Sequence, residues 1–93
     1  VAEGAGQEKG TVTINSRARD VLTEPGKAVS LLPVGIVNIE GDFSKGDLVR
    51  IQDEDGREVG VGVAQYSADA AREAKGKKGQ KALVHYDYLY LSA

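Results

Sequence analysis

Hydrophobic and polar positions alternate in short runs along this chain, and glycine-bearing turns separate the runs at intervals of about ten residues. Thr11-Val12-Thr13-Ile14 is β-branched and alternating, which predicts a strand with Val12 and Ile14 on one face. Asn15 can cap a helix through its side-chain oxygen, and Ala18, Val21 and Leu22 fall at helical spacing. Pro25-Gly26 ends this helix of about two turns, which is too short to hold alone and must lay its stripe on a sheet.

Leu31 and Leu32 lead into Pro33, which pushes Leu32 into an extended conformation, and Gly35 lets the chain turn into the next strand. Ile36 to Glu40 then alternates, with Val37 and Ile39 expected on one face and Asn38 and Glu40 on the other. Gly41 to Asp47 turns the chain into Leu48 to Gln52, where Val49 and Ile51 point inward and Arg50 outward. Asp53-Glu54-Asp55-Gly56 is a hairpin signal, because Asp-Gly accommodates positive φ at little cost. The next strand, Arg57 to Ala64, puts Val59, Val61 and Val63 on one face and Gly60, Gly62 and Ala64 on the other. A face without side chains lets another backbone or a ligand come close, or permits the bend of a small barrel, the commoner cause.

Ser67 caps a second short helix with Asp69 in its first turn and Ala70, Ala71 and Ala74 as a narrow stripe, and Gly76 stops it. Leu83 to Leu91 is the last strand or strand pair. Unbroken, it lines one face with Tyr86, Tyr88 and Tyr90 and the other with His85, Leu89 and Leu91. The expected fold is therefore mainly β with two short helices, a small pseudobarrel of about six short strands. The runs 36–40, 48–52 and 57–64 are expected to form an antiparallel meander. Val1 to Gly10 has no periodicity and reads as a linker or domain edge, leaving the folded domain over 11–93 as a module of a longer chain.

Composition narrows the function. Ninety-three residues make one domain that hides roughly 60–65% of its unfolded surface, too little for a deep enclosed active site. One Phe and no Trp or Met leave Val, Leu, Ile and Ala to build the core. A net charge of −2 argues against a surface that is basic all over. There is no cysteine for a disulfide or thiolate site, and no apolar run of the ~18 residues a bilayer requires, so the expectation is a cytoplasmic domain without membrane contact.

Candidate chemistry is sparse. Asp53-Glu54-Asp55 lacks the spacing and terminal Glu of a calcium loop and is a hairpin tip, and His85, the only histidine, can form neither a His-based metal cluster nor an acid/base pair. No phosphate-cradling glycine loop followed by Lys-Ser/Thr occurs, and no nucleophile with its base can be assembled. The stretch Arg72 to Lys81 stands out: Arg72, Lys75, Lys77, Lys78 and Lys81 face Glu73 alone, a local charge of +4. With Tyr86, Tyr88 and Tyr90 as stacking surfaces, Lys75, Lys77, Lys78 and Lys81 are candidate RNA contacts, against the plainer reading of a solvated loop beside barrel-covering tyrosines.

A resemblance then organises these residues. Gly26-Lys27-Ala28-Val29-Ser30-Leu31-Leu32-Pro33, Gly35-Ile36-Val37 and Gly41-Asp42-Phe43-Ser44-Lys45-Gly46-Asp47-Leu48-Val49 resemble the signature of a PUA domain. From about Gly10 to Ala93 the order is similar to the C-terminal PUA domain of the glutamate 5-kinase family. It departs in a shorter loop before His85 and in His85-Tyr86-Asp87 where that family has His-Arg-Asp. The resemblance implies a pseudobarrel and a parent enzyme that moves the ATP γ-phosphate onto the side-chain carboxylate of glutamate, the first step of proline synthesis. ATP, magnesium and glutamate would bind an N-terminal amino-acid-kinase domain, with no cofactor in these residues. The implied role is contact with that domain or between copies of the full chain, for regulation. The alternative is an RNA-binding module, for which RNA-modifying relatives imply a surface near Gly26 to Leu31 and the tyrosine strand.

Overall fold

The computed structural model describes residues 8–24, 26 and 29–91. Its strands are β1 (Gly10–Ile14), β2 (Ile36–Gly41), β3 (Leu48–Asp53), β4 (Glu58–Val63) and β5 (Leu89–Leu91). The helices are α1 (Ser16–Leu22) and α2 (Ala68–Ala74), and 3-10 turns cover Pro33–Gly35 and Tyr86–Tyr88. Both helix starts are fixed by side-chain oxygens: Asn15 Oδ1 accepts from the Ala18 N–H at 2.8 Å, and Ser67 Oγ from the Ala70 N–H at 3.3 Å.

The strands form one mixed sheet in the order β2-β1-β3-β4-β5. Val12, Ile14, Val49 and Ile51 are fully buried on its inner face, where they meet Leu22, Leu31, Phe43, Ala71, Leu83 and Val84. Each wholly buried Val, Leu or Ile contributes about 1.5–3 kcal/mol, so an all-aliphatic interior with a single Phe suffices. The mainly β fold with two short helices agrees with the sequence reading, as do the caps and the inward set of β1 and β3.

The three-strand meander does not form. β1 inserts between β2 and β3, antiparallel to the first and parallel to the second, and only β3 and β4 make the expected hairpin. Against the expected six or so strands, the described residues form five, and the stretch around Leu31 makes a single bridge with Val84. Val37 and Ile39 do not share a face either. The register between β1 and β2 shifts at Thr13/Ile14, which leaves Val37 unpaired and exposed while Ile36 and Ile39 are buried. In α2 the buried alanines are Ala68, Ala71 and Ala74, and Ala70 faces out.

A second shift, at Ile51/Gln52, leaves Val59 unpaired and turns it into the core, apart from Val61 and Val63 with which it was expected to share a face. Ile51 pairs with Gly60 and Val49 with Gly62, so the glycine face turns inward and Val61 and Val63 are only half-buried. The reason is close approach as much as bending. A Cβ on Gly60 would lie 2.5 Å from the Tyr90 carbonyl oxygen and 2.9 Å from Leu91 Cα. One on Gly62 would lie 2.5 Å from Val84 Cγ1. The last strand is likewise not continuous: after the Val84 bridge the chain makes the Tyr86–Tyr88 turn, and only Leu89–Leu91 pairs with β4. Most of the Val1 to Gly10 edge, and Pro25 as the end of α1, lie outside the described residues; within them α1 closes at Leu22, and Lys9 N–H donates to the Leu48 carbonyl at 2.8 Å.

Candidate functional site

Three short pieces of chain meet around a groove of about 560 Å³. One wall is the exposed side of α1 with Arg17, Ala18 and Val21. The floor is the run Ser30 to Gly35, and the far wall is the Lys77–Gln80 loop. Backbone hydrogen bonds hold the pieces together. Asn15 N–H donates to the Gly35 carbonyl at 3.0 Å, the Leu31 and Val84 backbones pair, and Gly76 N–H donates to the Pro33 carbonyl at 2.8 Å. Gly35 has to lack a side chain, because a Cβ there would sit 2.5 Å from Ala18 Cβ. Gly76 and Gly79 take φ of +77° and +76°, the left-handed turns that fold the basic loop back over Pro33.

The lining is aliphatic with a cationic rim. Leu32, Val21 and Val34 are 51%, 46% and 41% exposed, and Arg17, Lys77 and Lys78 stand around them with no acidic residue in the lining. None of these three cations pairs with a carboxylate among the described residues.

The other candidate residues lie elsewhere. Lys75 caps the end of α2 and is exposed. Lys81 is held through its backbone, where its carbonyl accepts the Tyr66 hydroxyl at 2.7 Å, and burial pushes the Tyr66 phenol above its ordinary value. Arg72, counted with the basic stretch, donates to the Gly41 carbonyl at 2.7 Å and to Asp69 at 3.3 Å, and so ties α2 to the end of β2. Tyr86 and Tyr88 belong to the turn capped by His85, whose Nδ1 accepts from the Asp87 N–H at 3.2 Å and whose ring lies 4.2 Å from that of Tyr86. Tyr90 is 58% exposed on β5. The structure thus brings Lys77 and Lys78 together with Arg17, and keeps Lys75, Lys81, Tyr86, Tyr88 and Tyr90 out of the groove lining. The sequence reading passed over Arg17, although Arg17 and Val21, four apart behind the Asn15 cap, share a helix face.

Away from the groove, Arg19 reaches across from α1 to Asp53 at the end of β3, 3.1 Å from Nη1 to Oδ2. Burial alone would raise the Asp53 pKa. Bonds from the Arg57 N–H, the Arg19 guanidinium and the Asp55 N–H outweigh it and hold the carboxyl below its ordinary value. Among the described residues no group of three or more His, Cys, Asp or Glu side chains could hold a metal ion, and no helix is long and apolar enough to cross a membrane.

Comparison with known proteins gives the family. The chain is 52% identical over 91 residues to the glutamate 5-kinase of Chlorobaculum tepidum and 53% identical over 91 residues to that of Bacteroides thetaiotaomicron. Each alignment takes in 98% of this chain and 25% of the relative, so the chain spans about a quarter of the length of these enzymes. Among solved structures, a PUA domain protein of Aeropyrum pernix, crystallised as a tartrate complex, superposes with a TM-score of 0.73 at 29% identity, over 83% of this chain and 41% of that one. The archaeal box H/ACA Nop10–Cbf5 complex shares the fold, with a TM-score of 0.71 at 21% identity, over 92% of this chain and 26% of that one. With the PUA domain model matching residues 10–86, this chain belongs to the PUA domain family.

Proposed function

We propose that these residues are the C-terminal accessory domain of a glutamate 5-kinase and that they act by contact, with the kinase part of the same polypeptide and between subunits, to set activity and its feedback by proline. The observation that carries this reading is the identity of about half of the residues to one quarter of two such kinases. ATP, magnesium and glutamate fall to the kinase part. What supports this is that the lysines of the basic loop stand over an aliphatic floor rather than a glycine cradle of backbone N–H groups.

The test is the full parent chain with and without this segment, assayed for rate, proline inhibition and oligomer size. A change in at least one is expected, and three unchanged values would remove the proposal. RNA binding is the second reading, supported by Lys75, Lys77, Lys78 and Lys81 on an exposed stretch and by Tyr86, Tyr88 and Tyr90. It is the weaker one, because stacking rings and the paired lysines do not line one site, and a strand of bases needs both together.

A further inference from the structure

We infer that the groove between α1, Ser30 to Gly35 and the Lys77–Gln80 loop docks an acidic segment of the parent's kinase part, one that carries aliphatic side chains. This rests on the accessory-domain reading above.

Exposed aliphatic side chains scattered singly are ordinary, but Val21, Leu32 and Val34 converge on one concave site. No aromatic ring lines that site, so it lacks the stacking platform a base would use, whereas Leu, Ile or Val side chains of a peptide would fill it. Charge selects the flanks of the occupant. The chain as a whole is −2, yet the groove carries three cations and no anion, and those cations have no carboxylate partner among the described residues. Aspartate or glutamate beside the aliphatic residues would meet Arg17, Lys77 and Lys78 at the rim, while a basic or neutral segment would leave them unmatched. The walls are already tied by the Asn15–Gly35, Leu31–Val84 and Gly76–Pro33 backbone bonds, so docking orders little that is not ordered beforehand. A source for the segment is at hand: about three-quarters of the length of the matching kinases lies outside this chain.

The experiment uses the purified full-length parent with a photo-reactive benzophenone amino acid placed at Val34, and at Glu54 on the hairpin tip as the control position. Mass spectrometry of the cross-linked peptide is expected to give a kinase-part segment with Asp or Glu beside Leu, Ile or Val. Lys77→Glu combined with Lys78→Glu should lower its yield about ten-fold, as should high salt, while the Glu54 position gives no such product. Both lysines sit on an exposed loop, so the charge reversal leaves the fold intact. A cross-link to RNA, to a second copy of this domain, to a segment without acidic residues, or none above the control would overturn the assignment. If deleting the domain still alters rate, feedback or assembly while Val34 gives no such product, the groove assignment alone falls. If deletion alters nothing, both readings fall.

Discussion

Asp53 shows how much one residue can hold and how little of that its neighbours in sequence announce. The acidic run reads as a hairpin tip, and Glu54 and Asp55 are one, but Asp53 ends β3 with 2% exposure. Its Oδ1 accepts the Asp55 and Arg57 N–H groups at 3.0 Å each, and its Oδ2 meets Arg19, a partner 34 positions away that no local pattern could reveal. The folded carboxyl lies below its ordinary value of 3.8, so the stability it lends is complete above that pH and drains away as pH falls through the folded value. Asp53→Asn keeps an oxygen for the two N–H groups and loses the charge. It is expected to lower the urea midpoint at neutral pH and to flatten the acid limb below 3.8, with Asp53→Ala lower still. Midpoints measured from neutral pH downward check this; an unchanged acid limb in the Asn variant would refute it.

At the scale of elements, caps and inward faces were legible because they are local: Asn15, Ser67, Val12, Ile14, Val49 and Ile51 each declare themselves within a few residues. Register was not. The shifts at Thr13/Ile14 and Ile51/Gln52 turn Val37 outward and Val59 inward, and a bulge depends on the partner strand rather than on its own letters. The tight place they create is testable. Gly62→Ala puts a methyl 2.5 Å from Val84 Cγ1 and should cost about 1–3 kcal/mol. Val84→Ala opens a cavity and also destabilises. The double variant should lose less than the sum, because the new methyl enters the space that Val84 vacates. Strict additivity in a denaturation cycle would show that the two residues do not compete for that space.

At the scale of the molecule, a net charge of −2 argued against a surface basic all over, and the order of residues carried the family. The groove was not legible as such, since it gathers positions 17, 21, 32, 34, 77 and 78 from three separate pieces of chain. The strand order was equally out of reach, because a first strand that slips between two later ones leaves no mark on any of them. That insertion has a consequence of its own. Among the described residues β1 is the strand that joins β2 to the β3–β4–β5 ladder, so its five residues serve as the spine of the sheet although it is the first of these strands along the chain. Trimming through Ile14 is expected to unfold the whole domain, as read by loss of amide-exchange protection in β2 and β3 together, whereas removal of β5 strips one border. Anything attached just upstream of Lys9 is thereby fastened to the centre of the domain, and a pull on that attachment would be felt first by the two strands on either side of it.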